Sequence, residues 1–204
     1  MKHLKKACIV GALVLAVMAT VGVGSAAAGQ STFCKANETP CGSGNHYPVE
    51  ADVVLAGKGA VKWVMPLRTI ECSGAKFQGD VTKTGGSSEE GEISFHTQNF
   101  FSLCNCPFNT LENAKMDVAW TSGTMNGTVT TTGFSYRFTC SGVPCAYGGE
   151  IKEGTTLTGG NPAVLVFKEA SVPKIEGGFL CGTEAKLSGE FEVSAPKPLY
   201  VSNG

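Results

Sequence analysis

Residues 115–140 decide the fold: Lys115-Met116-Asp117-Val118-Ala119-Trp120-Thr121-Ser122-Gly123-Thr124-Met125-Asn126-Gly127-Thr128-Val129-Thr130-Thr131-Thr132-Gly133-Phe134-Ser135-Tyr136-Arg137-Phe138-Thr139-Cys140. Met116, Val118 and Trp120 fall on one face of an alternating run, with Asp117 opposite and outward. Phe134, Tyr136 and Phe138 repeat the pattern. A period of two is the signature of a strand with one buried face. Between the two runs, Asn126-Gly127 tolerates the positive φ of a type I′ turn, so Met125–Gly127 reads as a hairpin. Gly127–Thr132 and Phe134–Cys140 read as separate strands after it.

The same grammar extends outward. Val49–Ala56 leads through Gly57-Lys58-Gly59, a hairpin-type connection, into Ala60–Met65. After Pro66 comes Leu67–Cys72, with Ile70 and Cys72 inward. Lys76–Lys83 carries Phe77 and Val81 on one side, and Glu92–Thr97 carries Ile93 and Phe95. Cys145–Ile151, Ala163–Phe167, Glu184–Ser194 and Leu199–Val201 complete the set. Thr84–Gly91 reads as a flexible polar loop tip, Gln98–Asn113 as irregular structure tied down by bridges, and Gly29–Thr32 as a frayed tail. Nowhere do apolar residues recur at helical spacing over three turns. The expectation is one all-β domain, a disulfide-stapled β-sandwich or barrel of about ten to twelve short strands.

The chain opens with Lys2, Lys5 and Lys6, followed by an uncharged run from Ala7 to Gly24 and then Ser25-Ala26-Ala27-Ala28. Basic start, apolar core and small-residue exit read as a secretory signal peptide over residues 1–28. A single secreted domain then covers 29–204, with no membrane span after cleavage. Cys8 leaves with the signal. Beyond residue 28 there are 13 basic and 17 acidic residues, a net charge near −4. That balance disfavours nucleic acid, which needs a basic patch to displace counterions. The expected location is extracellular or the cell-envelope surface.

Eight cysteines remain: Cys34, Cys41, Cys72, Cys104, Cys106, Cys140, Cys145 and Cys181. An even number in an exported chain reads as four bridges. Cys34 and Cys41 enclose a short loop suited to closing on itself. Cys140 and Cys145 flank a Gly/Pro turn and could pair locally. Cys104 and Cys106 are too close to bridge without strain, so they take separate distant partners, leaving Cys72 and Cys181. An alternative joins Cys140 to Cys181 and sends Cys145 elsewhere.

Cys34-Lys35-Ala36-Asn37-Glu38-Thr39-Pro40-Cys41 leading to Tyr47-Pro48 is similar to segments of exported, β-rich actinobacterial proteins of unassigned function. So are Leu157–Ala163 and the ending Ser194–Val201. The likeness spans most of the mature chain. It implies a secreted bacterial protein and brings no activity, so no functional residue carries over.

Chemistry is thinly marked. His46 sits in a polar loop and His96 on a strand, neither in a paired-histidine motif, and a zinc or copper site needs three or four ligands. Cys104-x-Cys106 could hold a soft metal if reduced, but reads as two structural half-cystines. There is no G-x-S-x-G elbow, calcium loop or phosphate loop. Glu89, Glu90 and Glu92 read as a solvated tip rather than a glycosidase pair. Trp63, Trp120, Tyr136 and Tyr147 could form a sugar-stacking platform, but most of them alternate in phase with core positions. No catalytic, cofactor-binding or metal residue is assigned, and no cofactor is expected. The favoured function is a non-catalytic domain that binds an extracellular glycan, polymer or protein or associates with itself. The alternative is an extracellular hydrolase using loop carboxylates or a Ser/His pair.

Overall fold

The computed structural model describes residues 31–86, 89–96 and 100–204. The expected signal peptide and Gly29-Gln30 lie outside the described residues. The strands in chain order begin with β1 (Ser31–Cys34), β2 (Asp52–Gly57), β3 (Val61–Met65), β4 (Arg68–Lys83) and β5 (Gly85–Gly86). Next come β6 (Gly91–Phe95), β7 (Phe100–Cys104), β8 (Phe108–Glu112), β9 (Lys115–Trp120) and β10 (Gly127–Cys140). The last are β11 (Val143–Ile151), β12 (Thr155–Thr158), β13 (Val164–Glu176), β14 (Glu184–Ala195) and β15 (Tyr200–Ser202). All pairings are antiparallel, and the fold is all-β and held by four disulfides.

The main ladder closes on itself. β10 pairs with β12, β12 with β13, β13 with β14, and β14 with β2. From there β2 pairs with β4, β4 with β6, β6 with β9, and β9 with β10 again. Closure removes the unpaired edges that an open sheet would expose. Inside this ring the inward positions are aliphatic, among them Val53, Ile93, Met116, Val129, Leu165 and Val193. They surround an apolar void of only about 10 Å³, no more than a single water needs. Eight strands make a ring that side chains can fill.

At one end β3 replaces β2, β11 replaces β12, and β7 and β8 replace β6 and β9. The core there turns aromatic: Trp63 stacks on Phe134 at 5.7 Å and meets Phe138 edge-on at 5.1 Å. At the opposite end a three-stranded sheet, β15-β1-β5, lies as a cap, with Phe33 and Val201 buried beneath it.

Several sequence expectations are corrected by this arrangement. Gly57-Lys58-Gly59 is no hairpin: β2 and β3 both run antiparallel to β4 and to β14, so the chain continues through a bulge with Gly59 at φ 134°. The reversal comes later, at Pro66-Leu67, where Met65 faces Arg68. β9 and β10 do form a hairpin, but Asn126-Gly127 is not its turn. Gly127 is already paired with Trp120, and a Cβ there would lie 2.6 Å from Val118 Cγ1, so close packing demands the glycine. Gly133, at φ 65°, bends one long strand where two had been expected. Ser31 and Thr32 are not frayed but buried in β1, and Gly85-Gly86 pairs with them instead of forming a loose tip. Within Gln98–Asn113, β7 and β8 are regular strands paired with β4 and β10.

Candidate functional site

The disulfides pick out one end of the molecule. Cys34–Cys41 closes its local loop near the cap, as its spacing suggested. The other three bridges, Cys72–Cys104, Cys106–Cys140 and Cys145–Cys181, lie at the opposite, aromatic end. Cys104 and Cys106 do take separate partners. The local Cys140–Cys145 bridge is wrong, and so is its Cys140–Cys181 alternative. In the β10–β11 hairpin Cys140 faces Val143 while Cys145 faces Phe138, making the two cysteines diagonal neighbours. Diagonal pairs stand ~7–8 Å apart, beyond ordinary disulfide reach.

Two of these bridges, Cys72–Cys104 and Cys106–Cys140, flank the place where β7 and β8, among the described residues, share no ladder. Phe101 and Phe108 pack across it at 4.7 Å between ring centroids. Asn105, between the two half-cystines, fastens the link to β4: its Oδ1 accepts from Glu71 N at 3.1 Å and its Nδ2 donates to Thr69 O at 3.2 Å. The Cys145–Cys181 bridge anchors a 3₁₀ turn at Phe179–Cys181, and Tyr147 donates its hydroxyl to Cys181 O at 2.6 Å from beneath. Burial raises the pKa of that phenol, with the Arg68 cation opposing the shift. Gly177, at φ 118°, leaves room for the sulfur, since a Cβ would stand 2.5 Å from Cys181 Sγ.

What this clamped frame presents is apolar. Among the described residues seven large hydrophobic side chains are exposed: Val49, Val64, Leu67, Leu103, Ile175, Phe179 and Leu180. All but Val49 sit at this end. Phe179 is 89% exposed and Leu67 66%, so both project rather than rest on neighbours. Their two tips adjoin, because a Cβ on Gly182 would fall 2.6 Å from Pro66 Cγ.

The charges beside the tips follow one pattern. Lys186 pairs with Glu184 at 2.8 Å, Lys62 with Glu71 at 2.9 Å, and Arg137 with Glu176. The Lys186 contact, joined by Ser171, holds the Glu184 carboxyl below its usual pKa. Arg68, next to Leu67, and Lys174, next to Ile175, have no acidic partner among the described residues. Lys174 Nζ instead donates to Gly178 O at 3.5 Å, one residue from Phe179. The cap end is charged the other way. Glu38, Glu50, Asp52, Asp80, Glu89, Glu90, Glu92, Asp117 and Glu192 outnumber Lys35, Lys83, Lys115 and Lys197 there.

The residues first weighed for chemistry are scattered. His46 Nε2 lies 3.1 Å from Cys41 O. His96 Nε2 sits 2.9 Å from Asp80 Oδ2 on an exposed strand end. Neither histidine lines the open concavities beside the β2–β3 bulge, which are bordered by Lys58, Lys62 and Lys168 on one side and by Leu103 and Asn105 on the other. Cys34, Glu38 and Cys41 approach one another, but both sulfurs are spent in the bridge and offer no thiolate to a metal. Glu92 does not belong to a solvated tip. It is buried on β6, accepts from Thr82 Oγ1 and meets Lys83 at 3.0 Å, contacts that lower its pKa. Asp117 faces it directly across β6–β9, and burial, reinforced by Glu92, raises the Asp117 pKa. The aromatics fall where their phase put them rather than on a stacking platform: Trp63, Tyr136 and Tyr147 are buried core, and Trp120 is half-buried with its Nε1 donating to Thr124 O at 2.7 Å.

Sequence reasoning missed Leu67, Ile175, Phe179 and Leu180. A signal was present in Gly177-Gly178-Phe179-Leu180-Cys181-Gly182, an apolar pair enclosed by glycines with no strand alternation around it. No family model, no curated protein and no solved structure matches the chain.

Proposed function

We propose that the protein is a non-catalytic binding domain of the extracellular space or cell envelope, exported behind its first 28 residues and engaging its partner through the clamped end. One observation carries this reading: among the described residues, six of the seven exposed large hydrophobic side chains gather at the end that three disulfides tie together. Scattered surface hydrophobics need no explanation, but a concentration at one end, held rigid, does. Rigid presentation lowers the ordering cost of association. The four bridges also suit an oxidising compartment.

The test is retention of the labelled, oxidised protein on isolated cell envelopes of the producing organism. The double substitution Leu67→Ser with Phe179→Ser should abolish retention while leaving the melting temperature unchanged. Retention undiminished by that change would refute the assignment of the clamped end. His46→Ala with His96→Ala should leave retention intact.

A further inference from the structure

We propose that the clamped end docks on an anionic lipid surface, with Leu67, Phe179 and Leu180 entering the interfacial layer and Arg68 and Lys174 meeting headgroup phosphates. The inference rests on the binding reading above and names its partner. Two adjoining apolar tips project from the frame, and each carries an unpaired cation beside it: Arg68 follows Leu67, and Lys174 reaches the carbonyl preceding Phe179. Every carboxylate among the described side chains of this end is already paired with another cation. The free charge is therefore positive, although the mature chain as a whole is acidic. Apolar side chains flanked by cations suit a membrane interface bearing negative headgroups, whose potential acts within a Debye length. The acidic cap end would be repelled from the same surface, which orients the molecule tips-down.

Charge also argues against a second copy as the occupant. Symmetric pairing of this end with itself would bring two surfaces of net positive charge together. Head-to-tail pairing finds, among the described residues, only Val49 as an exposed large hydrophobic at the far end.

The experiment is flotation of the oxidised, exported protein with two vesicle types, mixed phosphatidylglycerol–phosphatidylcholine and phosphatidylcholine alone. Intact mass first confirms that the chain begins near Gly29, so that the apolar run 7–24 makes no contribution. Binding to the anionic vesicles should exceed binding to the neutral ones and fall as salt is raised. Leu67→Ser with Phe179→Ser should weaken it at least about tenfold. Arg68→Gln with Lys174→Gln should weaken it by about tenfold and erase the preference for anionic lipid. Equal binding to both vesicle types, or binding indifferent to the tip substitutions, overturns the proposal. Absence of flotation, with envelope retention still dependent on the tips, overturns the lipid assignment and leaves the binding reading with a protein or glycan partner. Tip-dependent self-association in sedimentation overturns it in favour of a second copy. Loss of both flotation and tip-dependent retention refutes both readings.

Discussion

The two ends of the ring solve the same problem by different means. At the cap end a layer of strands covers an aliphatic core: Phe33 lies over Gly91, where a Cβ would approach its ring within 2.7 Å, and Gly91 N donates to Ser31 Oγ at 3.0 Å. Backbone pairing finishes that end and leaves a carboxylate-rich surface. At the clamped end the ladder between β7 and β8 is missing among the described residues, and covalent bonds and aromatic rings take its place. Side chains and sulfur seal the gap, so the loops there are free to carry Leu67 and Phe179 outward. A surface built from loops can thus be as fixed as one built from strands, provided each loop is tied to the frame.

Breaking the ties should separate the two ends most clearly. Cys145→Ser with Cys181→Ser opens a loop of 36 residues, and the chain-entropy argument assigns it about 4 kcal/mol. Cys34→Ser with Cys41→Ser opens only 7 and should cost about 2 kcal/mol. Chemical denaturation of both variants checks the ranking, and equal losses would show that the ends are not stapled differently. Only the first should also reduce envelope retention.

Core substitutions sharpen the comparison at a similar scale. Trp63→Ala empties the centre of the aromatic layer and should cost about 3–5 kcal/mol. Trp63→Phe should cost far less, because Trp63 Nε1 is buried without a hydrogen-bond partner and its removal relieves that burden. Urea midpoints for the pair measure the contrast.

Electrostatics at the cap end predicts a smaller effect with a definite sign. Asp117 has its folded pKa raised, so the folded state favours its protonated form; that contribution is whole below 3.8 and is lost as pH rises through the folded value. Asp117→Asn should therefore stabilise at neutral pH by under about 1 kcal/mol, with the gain vanishing as pH falls towards 3.8. Glu92 behaves oppositely, because its depressed pKa supplies stability above 4.5 that is lost on acidification. Thermal melts across pH would reveal a reversed trend if these directions are wrong. The smallest expected change in stability is that of Leu67→Ser with Phe179→Ser, which should lie within about 0.5 kcal/mol of zero because exposed tips hold nothing together.

The all-β class and the inward faces were legible because they rest on alternation. Ile70, Phe77, Ile93, Met116 and Phe134 are all buried, as their phase demanded. What alternation cannot distinguish is a glycine that ends a strand from one that bends it. Gly59 and Gly133 both looked like breaks and both sit at bulges in strands that continue. Disulfide partners depend on register, which a single strand does not display, so Cys106–Cys140 appears only once β8 is laid against β10. The apolar tips escaped for a related reason. Their exposure follows from where the frame stops, and the glycines enclosing Phe179 and Leu180 mark the pair as lying outside a strand without showing that it faces outward.

Hydrogen–deuterium exchange of the oxidised protein, with and without envelopes, locates the binding surface. New protection should be confined to peptides covering residues 64–68 and 174–182, with residues 31–34 and 200–202 unchanged. Protection at the carboxylate-rich cap, or at Lys58–Lys62 and Lys168 beside the bulge, would contradict the assignment of the clamped end as the binding surface.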